Sequence, residues 1–437
     1  MADHVPFPFK VFGLQRTGTN LMVALMQQNF HVYSLEHDGE WKHGPVREAA
    51  RQWNGRPVHF VLCVKNPYAW AVSCFRYFRR AHLTDSTVAP QFRADPSMSF
   101  EQFLAGPHYS FPNPIARWNQ MNQLWLATLP KDRSVLVRQE DQLLNQLRSL
   151  EAIERWWKLA RRLPELQPAA ERISFRARPA GPLDRDYYLN GMYLTEYSQD
   201  LLQRMNSLLD MPLMGQLKYP IERHSLSHCE INGTTIVVRS ASEDRTRAQW
   251  LGQDPYRFSD LRDQGFEFTS FLDLGAGTGS LVAAVRALWP HCHVQAYESC
   301  PGRYRILRIN SERFGRMDAH RAAIVPGEAA DRARLDEICH DSSCAHSGEA
   351  MVSSVRLESV LSRLQSDGLV HVASRRLMIH VLRVLVAGGA IERIGHICGP
   401  LPAGTEASLL LADLASRYCV RTWQSDVGEI LCATRRP

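Results

Sequence analysis

Two stretches of this chain combine glycines, hydroxyls and charge at spacings that suit nucleotide chemistry. They are Gly13-Leu14-Gln15-Arg16-Thr17-Gly18-Thr19-Asn20 near the start and Asp273-Leu274-Gly275-Ala276-Gly277-Thr278-Gly279 past the middle. Each follows a short apolar run and opens a helical pattern, where free backbone N–H groups receive a phosphate or an adenosine. The first keeps both glycines of a Walker phosphate loop, but Thr19 and Asn20 stand in place of its Lys and Ser/Thr. A β/γ-phosphate contact and a magnesium ligand are therefore missing, which disfavours nucleoside triphosphate hydrolysis. What remains is a nest of N–H groups, the Thr17 and Thr19 hydroxyls and the Arg16 cation, a site for a single phosphate or a phosphosulfate.

A second anion clamp follows. The apolar strand 58–64 runs into Lys65-Asn66-Pro67, and Ser73 lies eight residues after Lys65 within the helix that Pro67 opens. Between the two pieces lies Glu36-His37-Asp38-Gly39-Glu40-Trp41-Lys42-His43-Gly44. Group transfer to a hydroxyl needs a base for its proton and a cation for the leaving oxygen. His43 suits the first role, with His37 and Glu36 in reserve, and Lys42 or Arg16 suits the second. The competing reading is a solvated surface loop. Trp118, Met121 and Trp125, at helical spacing, read as core.

Together these motifs resemble the sulfotransferases that use 3′-phosphoadenosine-5′-phosphosulfate (PAPS), over about residues 7 to 222. The resemblance implies that Arg16, Thr17, Gly18, Thr19 and Asn20 grip the phosphosulfate while Lys65 and Ser73 hold the 3′-phosphate. Lys65 replaces the family's usual Arg, which keeps the charge and loses the bidentate fork.

In the C-terminal half the order is strand from Phe268, glycine loop, helix Leu281 to Leu288, strand Val294 to Tyr297, then Glu298. An acidic side chain about 20 residues past such a loop is placed for two ribose hydroxyls. Ser280 stands where a dinucleotide fingerprint wants Gly or Ala, so S-adenosylmethionine (SAM) is preferred to NAD. The stretch 230–437 resembles class I methyltransferases, most closely the FkbM family, through Asp273 to Gly279, Tyr297-Glu298, Leu307 with Asn310, and Ala322-Ala323-Ile324. That likeness implies O-methylation of a sugar or natural-product hydroxyl, with Asp273, Gly275, Gly277, Gly279 and Glu298 binding the donor. Val355 to Val360 sits where the family has its fourth strand. The family's acidic segment should lie near 371–378, where this chain reads His371-Val372-Ala373-Ser374-Arg375-Arg376-Leu377-Met378, without a carboxylate. Either the acceptor differs or this half binds donor without transferring methyl.

Two loops of different type imply two domains, and the two resemblances imply that both are doubly wound α/β, a P-loop-like sulfotransferase sheet over 1–224 and a Rossmann-like methyltransferase sheet over 225–437. The 437 residues allow two cores of about 200 each, and 45% apolar with 22% charged residues is globular composition. A net charge of +6 decides nothing about partners, although only six of the 51 basic residues are lysine. No basic stripe with interleaved aromatics marks a nucleic-acid site. The most apolar window, Leu377 to Ala390, carries His380 and Arg383 and reads as a buried helix, not a membrane span. The ten cysteines lack paired spacing, and Cys339-His340 with Cys344 and His346 is a poor zinc set, so no metal and a reducing, cytoplasmic setting are expected. The leading expectation is PAPS-dependent sulfuryl transfer to a carbohydrate or secondary-metabolite hydroxyl, joined to a SAM-binding domain. The alternatives are an FkbM-type methyltransferase with an accessory donor-binding domain, a P-loop small-molecule kinase and a non-catalytic pseudoenzyme.

Overall fold

The computed structural model describes residues 7–36, 41–46, 52–84, 95, 97–169, 171–173, 179–182, 185–240, 253–325, 332–334, 351–364, 367–387, 393–425 and 428–436. His37 and the Cys339 to His346 cluster lie outside them. The chain divides into two compact units, Met1–Leu226 and Ser227–Pro437. No helix among the described residues is long and apolar enough to cross a membrane.

In the first unit, β1 (Phe7–Phe12), β2 (Val32–Ser34), β3 (His59–Val64) and β4 (Ser134–Arg138) form a four-stranded sheet in the order β2-β1-β3-β4. All three pairings are parallel. Parallel strands need crossovers, and α1 (Thr19–Asn29) and α2 (Pro67–Thr84) each start just beyond a strand's carboxyl end. Both motifs named above are therefore the loops at those ends. Phe9, Val11, Val61 and Cys63 bury one sheet face against Leu21, Met22, Leu25 and Met26 of α1 and against Leu150 and Ile153 of the helix Gln146–Trp157.

Asn113 caps α3 (Pro114–Thr128) by accepting from Ala116 N at 2.7 Å, and Pro114 presets its first turn. Arg117, Trp118, Met121 and Trp125 are its buried stripe. The Trp118 indole donates to Lys65 O and the Trp125 indole to Gly44 O, both at 3.0 Å, so the two core tryptophans also pin motif backbone. The strand that begins at Ser134 ends at Arg138, where the helix Gln139–Leu144 begins. The helix Arg185–Leu189 is separated by Gly191, at φ 74°, from a 3-10 turn, Met192–Glu196, after which Ser198 caps the helix Gln199–Leu208.

The second unit opens with a hairpin, β5 (Leu226–Ile231) and β6 (Thr234–Arg239). Its main sheet contains β7 (Ser270–Leu274), β8 (His293–Tyr297), β9 (Met317–His320), β11 (Gly368–Val372), β12 (Ile394–Pro400), β13 (Tyr418–Ser425) and β14 (Gly428–Arg435), and β10 (Met351–Arg356) stands apart. The sheet order is β9-β8-β7-β11-β12-β14-β13. The first five strands are parallel, and β14 enters antiparallel between β12 and β13. Alternation along the central strands divides the core: Phe271 and Leu369 face one cluster, while Leu272, Leu274, Val370 and Val372 face the other.

One expected placement differs. Val355 to Val360 spans the end of β10 and a short helix, and β10 pairs with Ala323–Val325 in a separate three-stranded sheet. The fourth central strand is β11, directly beside β7. The apolar window from Leu377 is helical, as α4 (Arg375–Val386), capped by Ser374.

Candidate functional sites

In the first unit, the turn after β1 is dictated by close approach. A Cβ at Gly13 would meet Cys63 O at 2.4 Å and Thr17 Oγ1 at 2.7 Å, so this position excludes a side chain. Gly18 has φ 85° and starts α1, and Arg16 takes φ 71°, which a non-glycine residue adopts only where its surroundings hold it. Thr17 closes the turn through its hydroxyl to Leu14 O at 2.7 Å. Beside Gly18 lies Gln142, fully buried, with both amide atoms lacking a partner. Its Nε2 is a donor that an acceptor oxygen, such as a phosphate ester carries, would satisfy.

The two halves of the clamp meet. Arg16 Nε lies 3.4 Å from Ser73 Oγ, and Lys65 Nζ sits 3.7 Å from the centre of the Tyr188 ring. Burial depresses Lys65, an effect that Tyr188 opposes and Arg16 reinforces. Burial alone would raise the Tyr188 phenol, but Lys65, a hydrogen bond to Ser73 and Arg16 carry it below its ordinary value. Arg16, Lys65 and Ser73 thus share one aromatic partner that the sequence reading did not single out.

Lys42 and His43 lie against the same loop from its other neighbour. Lys42 Nζ donates to Asn20 Oδ1 at 2.6 Å and pairs with Glu36. Glu36 is therefore this lysine's counter-ion, which weakens its standing as a reserve base. His43 Nδ1 donates to Gly13 O at 2.5 Å, leaving Nε2 as the acceptor nitrogen. Burial drives the His43 pKa down to about 3; its bond to Gly13 opposes that shift, and the charges of Lys42 and Arg117 add to it.

In the second unit, Gly275, Gly277 and Gly279 all have positive φ, at 92°, 61° and 88°. A Cβ at Gly275 would lie 2.6 Å from Ala373 Cβ, so the residue that follows β11 comes too close for any side chain here. Glu298 accepts from Gly277 N at 2.9 Å through one oxygen and from Cys300 N at 2.7 Å through the other. These two bonds fix the carboxylate beside the loop. Asn310, fully buried on the helix Pro301–Phe314, donates to Thr278 O at 2.7 Å and exchanges two bonds of 2.8 Å with Val237 of β6.

Asp273 is fully buried, and its Oδ1 accepts from His371 Nδ1 at 2.7 Å across adjacent strands. His371 Nε2 lies 3.0 Å from the Tyr256 hydroxyl. Asp273 Oδ2 is left without a partner, which fits a cationic ligand atom such as an α-ammonium. The segment lacking a carboxylate is therefore joined to one through His371, while Arg375 and Arg376 are exposed at the start of α4. No cluster of metal ligands occurs among the described residues, and the eight cysteines there are free thiols.

No protein-family model and no curated protein matches the chain. Solved structures are similar to part of it. A precorrin-6y C5,15-methyltransferase from Geobacter metallireducens GS-15 shares 16% identity at TM-score 0.26, over 45% of this chain and 90% of that one. A SAM-dependent O-methyltransferase from Thermotoga maritima shares 12% at 0.26, over 42% and 66%. A methyltransferase from Pyrococcus furiosus shares 14% at 0.25, over 41% and 81%. At such TM-scores these likenesses carry no weight, and the sheet order and loop geometry stand on their own.

Proposed function

We propose that the chain is a two-donor transferase, with a SAM-dependent methyltransferase unit and a PAPS-dependent sulfotransferase unit acting on hydroxyl acceptors. For the second unit, the carrying observation is the glycine loop at the end of the central strand, held by Glu298 beside an unpartnered oxygen of buried Asp273. Gly275, Gly277 and Gly279 would admit the donor's backbone contacts, Glu298 its ribose and Asp273 its ammonium. The donor supplies an electrophilic methyl group. The fixed His371–Asp273 pair keeps the Asp273 carboxylate oriented as the donor enters.

For the first unit, the support is the convergence of Arg16, Lys65 and Ser73 at the strand ends, with His43 and Lys42 against the same loop. The donor supplies an activated sulfuryl group, whose bond to the 5′-phosphate oxygen breaks as a bond to the acceptor oxygen forms. His43 Nε2 takes the acceptor's proton, and its Nδ1–H bond to Gly13 fixes the required tautomer. Lys42 and Arg16 balance charge on the leaving phosphate. The missing Walker lysine weighs against a kinase.

Binding decides between these readings and their rivals. Melting of the full chain is measured with S-adenosylhomocysteine, 3′-phosphoadenosine 5′-phosphate, ATP and NAD. A true ligand at a hundredfold excess over Kd stabilises by about 2.7 kcal/mol. The first two compounds are expected to do so; no shift with one of them removes the corresponding unit's assignment.

A further inference from the structure

Arg117 of α3 is 1% exposed, yet every partner it has among the described residues is uncharged. Its guanidinium donates to Gln15 Oε1 at 2.7 Å, lies 3.1 Å from His108 Nε2 and sits 3.9 Å from the centre of the Tyr109 ring. His108 is neutral there, because burial, and after it Arg117 itself, brings its pKa down to about 3. Gln15 is held in turn, donating through Nε2 to the Tyr109 hydroxyl at 2.8 Å. No carboxylate among the described residues pairs with this cation. A buried arginine that serves packing is ordinarily matched by an acid, since an uncompensated charge in a low-dielectric interior is costly.

The placement indicates what the charge is for. Gln15 belongs to the phosphate loop itself, and the Trp41 ring lies 5.9 Å from the guanidinium and 5.5 Å from the His43 ring. Trp41 is 54% exposed, and Tyr109, half-buried, holds a left-handed φ of 55° over the guanidinium. Arg16, Lys65 and Ser73 gather around Tyr188, and Arg117, which meets those cations only through their common influence on the Cys74 thiol, has no contact with Tyr188 among the described residues. Arg117 thus belongs with His43, the residue proposed to meet the acceptor, and an aromatic surface lies beside it. Aromatic faces suit the apolar face of a sugar ring, and a guanidinium suits a carboxylate.

We propose that Arg117, framed by Trp41 and Tyr109, is a subsite for an anionic substituent on the acceptor, so that the first unit selects an acidic glycoside over a neutral one. The inference rests on the sulfotransferase reading, and Arg117 would act as a specificity residue within it.

The test uses the full chain and begins with 3′-phosphoadenosine 5′-phosphate, whose binding checks the donor reading separately. With that compound bound, affinities for methyl β-D-glucuronoside and methyl β-D-glucoside are compared, probes that differ by one carboxylate. The glucuronoside is expected to bind at least about tenfold more tightly. Arg117→Gln should bring the two affinities within about twofold while leaving 3′-phosphoadenosine 5′-phosphate binding within about threefold, and Arg117→Lys should retain part of the preference. Equal binding of both glycosides to the wild type overturns the inference and leaves the donor reading standing. Loss of 3′-phosphoadenosine 5′-phosphate affinity in a variant that still melts cooperatively overturns it too, by assigning Arg117 to the donor. Absence of that binding in the wild type removes the reading on which the inference rests. The wild-type pair and Arg117→Lys decide the matter even if Arg117→Gln does not fold.

Discussion

With Nδ1 bound to Gly13, His43 has one nitrogen left for chemistry, and in the unliganded chain that nitrogen is a poor proton acceptor because its pKa lies near 3. Part of this depression comes from Lys42, which bonds Asn20 of the loop, so the donor's anion arriving beside that lysine should raise it. Titration of the His43 ring by NMR should therefore give a pKa at least about one unit higher with 3′-phosphoadenosine 5′-phosphate bound than without it. An unchanged value would separate His43 from the donor site. His43→Ala should lower sulfuryl transfer by about 10²–10⁴-fold and leave donor affinity nearly unchanged. These partners were only half legible in the sequence. Lys42 and His43 are neighbours there, but Arg117 and Gln15 are 102 positions apart, and Asp273 and His371 are 98 apart. Such pairs are set by strand register and helix packing, which local spacing does not encode.

The elements that were legible are those whose backbone demands are local. Glycines at positive φ mark both loops, and apolar runs mark the buried parallel strands on either side of them. The fourth central strand was misplaced, at 355–360 instead of Gly368–Val372, since two short apolar runs look alike until one pairs with β7. Close packing at this strand makes a prediction. Gly275→Ala puts a methyl into contact with Ala373 at a φ of 92°, so it should cost about 1–3 kcal/mol in urea unfolding and weaken S-adenosylhomocysteine binding at least about tenfold. Retained affinity would mean that the loop is not the donor cradle.

For the whole molecule, each unit contains a buried neutral histidine. His108 and His396 are both held near pKa 3, by burial first in each case, and His396 Nε2 has no partner. Because these folded values lie below the unfolded value of 6.5, the stability they contribute is complete above pH 6.5 and drains away as pH falls toward 3. Each should cost roughly 1 kcal/mol per pH unit in that window, and denaturant midpoints at pH 7 and 5 would check it. His108→Gln and His396→Gln should flatten the acid limb, and unchanged slopes would point to other groups. The hairpin that opens the second unit carries a different consequence. Because Asn310 grips both strand β6 and the glycine loop, the hairpin works as a clasp on that loop. A fragment cut to begin after residue 240 would keep every glycine of the motif and lose what holds them in shape, so the smallest self-sufficient piece should begin at or before Leu226.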